Sequence, residues 1–153
     1  MQDNIEIKEM DSKQAKTLSE LLKSSDKEYS KYFIPFSFDE KSIEKILTDA
    51  VKDKYLGVFA KQRLVGFYML RGFDAGYEIP SYGVWISKEY SGCGLSKLTL
   101  QHAITYCKLN KIKKLMLKVH PENLVAKKIY EDFGFVQESV DTDNKNLIYF
   151  KTL

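Results

Sequence analysis

A strand, a glycine-rich turn and a long helix follow one another in the middle of this chain, and their order constrains the fold most. The apolar residues of 81–86 predict a strand, and the segment 91–96 then reads Ser-Gly-Cys-Gly-Leu-Ser. Beyond this turn, an apolar stripe at helical spacing predicts a long helix with four buried positions: Leu100, Ala103, Ile104 and Cys107. The chain therefore places the start of a long helix directly behind the end of a strand.

The turn before this helix has the properties of an anion site. The first N–H groups of a helix lack intrahelical partners, and the helix dipole places partial positive charge there. Gly92 and Gly94 would let the backbone approach an oxyanion closely, which suits a pyrophosphate. Two glycines alone also fit an ordinary tight turn. Walker and dinucleotide-binding loops are excluded, because no Gly-Lys-Ser/Thr sequence follows and the third glycine of the dinucleotide fingerprint is missing.

Hydrophobic periodicity along the whole chain predicts the element order β-α-α-β-β-β-α-β-α-β-β. The short connection at 61–63 makes its two flanking strands an antiparallel hairpin. The predicted strands lie near 5–7, 55–60, 64–70, 81–86, 115–119, 135–139 and 147–151. The helices are expected after Asp11 or Ser12, after Asp39, from the segment 91–96 and from about Asn123. We therefore expect one mixed α/β (α+β) domain over residues 1–153, with about four helices flanking a mostly antiparallel sheet of about seven strands.

Composition is that of an ordinary globular protein and argues against several functional classes. Of 153 residues, 44% are hydrophobic and 29% are charged, and the net charge of +3 is too small for a nucleic-acid-binding face. The longest apolar stretches, such as 64–70, are too short to span a membrane. The first residues lack a signal-peptide pattern, there are only two cysteines, and no metal-ligand spacing occurs. We therefore expect a cytoplasmic protein with no metal and no nucleic-acid or membrane partner.

Two motifs, in the right order and spacing, resemble the GNAT superfamily of acyl-CoA N-acyltransferases over nearly the whole chain. The coenzyme motif of that family, Gln/Arg-x-x-Gly-x-Gly/Ala, aligns with 91–96, where Gly94 matches and Ser91 and Ser96 depart from the pattern. The second family pattern, Asn-x-x-Ala-x-x-x-Tyr-x-x-x-Gly-Phe, is matched at every fixed position by 123–135. The resemblance implies an N-acetyltransferase that uses acetyl-CoA as its co-substrate.

The resemblance also implies where the coenzyme would lie. The backbone around Val84, Trp85 and Ile86 is expected to pair with the pantetheine arm as with an added strand, and Asn123 to lie at the mouth of the same gap. Tyr130 is expected to protonate or hydrogen-bond the departing thiolate, although its place in an apolar helix stripe also fits a core residue. The pyrophosphate is expected against the glycine turn and the first helical turn, namely Ser91, Gly92, Cys93, Gly94, Leu95, Ser96 and Lys97.

The base that deprotonates the acceptor amine has two candidates. An aliphatic amine with a pKa of about 10 is mostly protonated at neutral pH, so a base or a desolvating pocket is needed. Glu78 precedes the fourth strand with the parity of Tyr82, which makes it the first candidate. His120 is the rival base, or else a structural residue of the Pro121 turn, and His102 is expected on the helix surface.

The acceptor is expected to bind beside the first two helices and their connection. The aromatic residues of 29–38 fall there and fit either core or cleft. A small-molecule amine is the preferred acceptor, with an amino sugar among the candidates. The residues expected to contact it are Tyr32, Phe33, Tyr82 and His120.

Two alternative functions and a homodimer are also compatible with the sequence. A non-catalytic acyl-CoA-binding or sensory module is compatible with the departures at Ser91 and Ser96. A protein or peptide N-acetyltransferase is the second alternative, and Lys118 disfavours the subclass that modifies protein N-termini. An exposed edge strand at 147–151 would permit a homodimer.

Overall fold

The computed structural model describes residues 4–153 and contains the strands and helices that the sequence predicts, with strand ends shifted by at most two residues. The strands are β1 (Ile5–Glu9), β2 (Lys54–Ala60), β3 (Arg63–Arg71), β4 (Ser81–Ile86), β5 (Lys114–Val119), β6 (Val136–Val140) and β7 (Leu147–Thr152). The helices are α1 (Ala15–Lys23), α2 (Glu40–Asp49), α3 (Leu95–Leu109) and α4 (Leu124–Asp132). The predicted mixed α/β fold with its mostly antiparallel sheet is confirmed.

The sheet has the strand order β1-β2-β3-β4-β5-β7-β6, and it is open at one place. Neighbouring strands are antiparallel except β4 and β5, which run parallel. These two strands pair only at Ser81 with Met116 and at Tyr82 with Leu117. Beyond these pairs they separate, so a gap lies beside the second half of β4, where the strand leads into the glycine turn.

Helices cover both faces of the sheet beside this gap. Tyr68 of β3 and Tyr82 of β4 are buried under α3 on one face. Phe67 and Trp85, of the opposite parity, are buried with α1 and α2 on the other face. Fully burying a large apolar side chain contributes about 1.5–3 kcal/mol. The two layers of helices therefore hold β4 firmly while leaving its edge towards the gap uncovered.

The helices that start near the gap differ in how they are capped. At the start of α4, Asn123 Oδ1 accepts a hydrogen bond from the Ala126 N–H at 3.3 Å. Asn123 thereby fixes the turn between β5 and α4. The N-cap of α3 is Gly94, which has no side chain to satisfy the first N–H groups of that helix.

The prediction of 147–151 as an exposed edge strand is wrong. β7 lies between β5 and β6, and the edges of the sheet are β1 and β6. The last hairpin folds back so that its second strand pairs with β5, and this choice depends on contacts between distant parts of the chain. Across residues 4–153, no helix combines the length and apolar character needed to cross a membrane.

Candidate active site

The open edge of β4 carries unpaired backbone groups, and two hydrogen bonds show which residues of the strand direct these groups towards the gap. The Ser87 N–H donates to Val65 O of β3 at 2.8 Å, whereas Pro80 O accepts from the Met116 N–H of β5 at 3.0 Å. Because alternate residues of a strand direct their backbone groups to opposite neighbours, Val84 and Ile86 face the gap. An extended ligand could pair with these N–H and C=O groups as an added strand does.

This parity corrects the expectation for Trp85. Its backbone groups face β3, where it pairs with Phe67. Its indole is 5% exposed among the residues of α1 and α2, and Nε1 donates to Ser30 Oγ at 3.0 Å. Trp85 therefore supports β4 from the side opposite to the gap, and it has no group directed at a ligand there.

The glycine turn leaves the start of α3 open. Gly92 and Gly94 have φ values of +76° and +94°, a left-handed conformation that glycine adopts without strain. A Cβ atom built on either residue would have no neighbour within 4 Å, so both face open space. The N–H of Leu98 is bonded to Gly94 O at 3.0 Å, and the N–H groups before it precede the first intrahelical bond.

The side chains of the turn fold away from this opening. Ser91 Oγ donates to Lys88 O at 2.7 Å, and the Cys93 thiol donates to Tyr90 O at 2.7 Å. Lys97 is exposed on the first turn of α3 and adds positive charge to the helix start. Backbone donors and the positive end of a 15-residue helix therefore border a space that an anion can enter, with one lysine on the same helical turn.

Tyr130 lies on α4 and is half-buried, with its ring centroid 6.0 Å from that of Phe135. Within residues 4–153, the Tyr130 hydroxyl has no hydrogen-bond partner. Burial raises the pKa of Tyr130 to about 12, so the hydroxyl is protonated at neutral pH. Tyr130 also adds to the rise that burial causes in the pKa of Tyr82, which indicates that the two side chains lie close together.

The structure places Tyr82 in the core rather than in an acceptor pocket. It is 4% exposed, and its hydroxyl donates to Thr99 Oγ1 on α3 at 3.1 Å. Its ring centroid lies 5.6 Å from that of Tyr68. This burial corrects the expectation of direct contact between Tyr82 and the acceptor, since a small molecule cannot reach the side chain without displacing α3.

His102 is more than a surface residue of α3. Its Nδ1 lies 2.6 Å from the hydroxyl of the buried Tyr68, and partial burial lowers the pKa of His102. A buried tyrosine needs a partner for its hydroxyl, and the exposed histidine supplies one from the helix above it. His102 therefore helps to hold Tyr68 and the core around it.

His120 and Tyr32 meet at the mouth of the gap. Their ring centroids are 4.4 Å apart, with planes inclined by 25°. His120 Nδ1 accepts a hydrogen bond from the Glu122 N–H at 3.1 Å, which places the proton of the neutral ring on Nε2. A ring in this state donates from Nε2, so it is poorly arranged to take a proton. The arrangement favours the structural role for His120 over the role of base.

Glu78 lies apart from these residues. It is exposed in the loop before β4, at the end of the strand where β4 and β5 are still paired. Among residues 4–153, no hydrogen bond, ion pair or ring contact joins Glu78 to Tyr130 or His120. The structure therefore pairs Tyr32 with His120 and packs Tyr130 beside Tyr82 of β4, but it does not bring Glu78 into contact with any of them.

The connection between α1 and α2 divides its aromatic residues between core and cleft. Phe33 packs edge-on against Phe67, with ring centroids 5.7 Å apart, and so belongs to the core beneath the connection. Tyr29 instead donates a hydrogen bond from its hydroxyl to Ile86 O at 2.6 Å, on the open edge of β4. The sequence placed Tyr29 only among the aromatic residues beside the acceptor site, because nothing local marks a contact between residues 57 positions apart.

Comparisons with known proteins identify the family and structures of the same fold. The model of the Acetyltransferase (GNAT) family matches residues 18–135. PaiA N-acetyltransferase from Thermoplasma acidophilum, solved with coenzyme A, has a TM-score of 0.80 and 23% identity over 98% of this chain and 99% of that one. A comparison with curated protein sequences gives no match.

Two further solved structures are named as acetyltransferases of different amines. A chimera of the Vibrio cholerae spermidine N-acetyltransferase SpeG and hSSAT has a TM-score of 0.78 and 19% identity, covering 97% of this chain and 95% of that one. RimL, a ribosomal alpha-N-protein acetyltransferase, has a TM-score of 0.81 and 13% identity, covering 97% and 90%. These TM-scores establish a shared fold, and the family match spans most of the chain. The chain belongs to the GNAT family of acetyltransferases.

Proposed function

We propose that this protein transfers the acetyl group of acetyl-CoA to the primary amine of a small molecule by direct attack. The observation that carries the proposal is the continuity of two ligand sites. The open β4 edge at Val84 and Ile86 is joined by residues 87–94, which include the glycine turn, to the uncapped start of α3. A pantetheine arm fits the first site and a pyrophosphate fits the second, in the order in which they occur in coenzyme A.

The backbone of β4 supplies the proposed stabilisation of charge. When the amine attacks, a C–N bond forms and negative charge develops on the carbonyl oxygen of the thioester. The Val84 N–H faces the gap and is the donor proposed to meet this oxygen. A preorganised donor of this kind contributes about 3–4 kcal/mol to the transition state in other acyl transfers.

Tyr130 is proposed to assist the departure of the thiolate. As the C–S bond breaks, the sulfur gains negative charge, and the proton lost by the attacking nitrogen must finally reach it. With its pKa raised to about 12, the Tyr130 phenol is a weaker acid than a free tyrosine. This favours a hydrogen bond from the phenol to the sulfur over full ionisation of the phenol, and the proton lost by the nitrogen finally protonates the thiolate.

Glu78 is the proposed base, because its carboxylate is free to accept a proton and the accepting nitrogen of His120 is not. His120 Nδ1 is engaged by the Glu122 N–H, whereas the exposed Glu78 carboxylate has no ion-pair partner within residues 4–153. Contact with the amine would require a water molecule or a movement of the loop before β4. A carboxylate can act through one intervening water.

A small acceptor is supported by the stacked pair at the mouth of the gap. Tyr32 comes from the α1–α2 connection and His120 follows the end of β5, so the stacked pair links two segments that border the gap. A polypeptide chain would have to separate the two rings, whereas a compact amine could lie against them. Spermidine and ribosomal proteins, named as substrates of the structural relatives, are the alternatives to test.

The test is a thiol-release assay of the purified protein with acetyl-CoA and amino sugars, amino acids, polyamines and peptides. We expect release of coenzyme A to depend on one class of small amine, with the acetylated product confirmed by mass spectrometry. Release with peptides alone would replace the small-molecule acceptor by a protein. Tight coenzyme binding without turnover on any amine would favour the non-catalytic binding module.

A further inference from the structure

The α1–α2 connection places a tyrosine hydroxyl on the edge that the coenzyme needs. Tyr29 donates its hydroxyl hydrogen to Ile86 O at 2.6 Å. The parity of β4 directs this carbonyl into the gap, where β5 has already separated from β4. The contact therefore fills one acceptor position of a strand edge that is otherwise unpaired.

The surroundings of Tyr29 place its hydroxyl at the junction of the two ligand sites. Burial raises the pKa of Tyr29, and the side chain of Ser91 beside it opposes that rise. Ser91 is the first residue of the glycine turn, where the coenzyme motif has a long polar side chain. The Tyr29 hydroxyl thus lies between the end of the β4 edge and the start of the anion site, and it is a donor at neutral pH.

We infer that Tyr29 and the coenzyme compete for the Ile86 carbonyl, so that acetyl-CoA displaces the Tyr29 hydroxyl when it binds. The inference rests on the proposed function, because it needs a ligand that adds to β4 as a strand and brings its own N–H to this oxygen. Donors to a carbonyl prefer directions near the plane of the group, and an added strand lies in that plane. The tyrosine oxygen and the ligand nitrogen would contend for that space.

Displacement of Tyr29 would act on the acceptor side of the gap. The next residue, Ser30, accepts the indole hydrogen bond of Trp85, and Tyr32 stacks on His120 two residues later. Release of Tyr29 loosens one end of this segment while the other end still covers the mouth of the gap. The expected consequence is an ordered reaction, in which the coenzyme binds first and the acceptor site takes its final form afterwards.

The test compares the dissociation constant of acetyl-CoA for three proteins by calorimetry. Tyr29→Phe keeps the ring and removes the competing donor, so affinity should rise about two- to tenfold, the worth of one neutral hydrogen bond. Ser30→Ala is the matched control, because it removes the bond from Trp85 in the same connection and leaves Tyr29 in place. Its dissociation constant should equal that of the wild type.

Each other outcome is decisive. An unchanged or weaker affinity of Tyr29→Phe overturns the inference, and so does an equal gain in Ser30→Ala, which would indicate general loosening. Failure of the wild type to bind at millimolar acetyl-CoA would overturn the proposed function as well. If Tyr29→Phe does not fold, hydrogen exchange of the wild type decides. The amides of Ser30 and Phe33, bonded to Asp26 O and Ser30 O, should exchange faster with coenzyme, and slower or equal exchange refutes displacement.

Discussion

Replacement of Gly94 by alanine should separate ligand binding from folding, because the chain contains a matched control. Gly94 has φ +94° and Gly76, in the loop between β3 and β4, has φ +92°. A Cβ atom on either residue would meet nothing within 4 Å. In the free protein, both substitutions therefore introduce only left-handed backbone strain of about 1–2 kcal/mol. We expect both to lower the melting temperature by about 2–8 °C, the range for a chain of this size.

The two variants should differ once acetyl-CoA is present. The methyl group of Gly94→Ala would point into the space proposed for the pyrophosphate, and it would push at least one oxygen out of hydrogen-bond range. Loss of one bond to a charged group costs about 1.5–3 kcal/mol, a roughly 10- to 150-fold weaker affinity. Gly76→Ala should bind like the wild type.

Thermal shift with increasing acetyl-CoA measures both effects in one experiment. At about 100 times its dissociation constant, a ligand stabilises the folded protein by about 2.7 kcal/mol. We expect this shift for the wild type and Gly76→Ala, and a much smaller one for Gly94→Ala at the same concentration. Equal ligand shifts for both variants would refute the pyrophosphate site at the start of α3.

Three further variants test the roles of single side chains. Tyr130→Phe should lower turnover roughly 10- to 10³-fold without changing acetyl-CoA affinity, measured by steady-state kinetics and calorimetry; full activity would return Tyr130 to the core. Glu78→Gln should lower turnover roughly 10²-fold with coenzyme binding intact. If its rate and pH profile equal those of the wild type, the base lies elsewhere and His120→Ala is the next variant. Hydrogen bonds from Ser37 and Ser42 lower the pKa of Asp39 to about 2, below its unfolded value of about 4. Asp39 therefore stabilises the fold above pH of about 4, and this contribution is lost as pH falls towards 2. Asp39→Ala should flatten the acid side of the denaturation profile, and an unchanged profile would contradict its capping of α2.

The order of strands and helices was predictable because hydrophobic periodicity is local. The stripe of α3 reveals one buried face, and the continuous apolar run of β3 indicates a strand buried on both faces, each within a single segment. The pairing of β7 with β5 was not predictable in the same way, since it depends on which strand of the last hairpin meets a strand far away in sequence. The misplaced edge strand at 147–151 is a direct result of that limit.

In the candidate site, too, locally determined features could be predicted and contacts between distant segments could not. Gly94 and Tyr130 stand in motifs with fixed spacing, so their positions could be predicted. Contacts between distant segments could not, and these include Tyr29 with Ile86 and His102 with Tyr68. The parity that turns Trp85 away from the gap follows from strand geometry, but only once the neighbour on each side of β4 is known.

A crystal structure of the protein with acetyl-CoA tests the central claim most directly. The pantetheine amides should pair with the backbone of Val84 and Ile86, and the pyrophosphate should contact the N–H groups between Gly94 and Lys97. The thioester sulfur should lie within hydrogen-bond distance of the Tyr130 hydroxyl. A coenzyme bound elsewhere, with the edge of β4 still empty, would contradict the account.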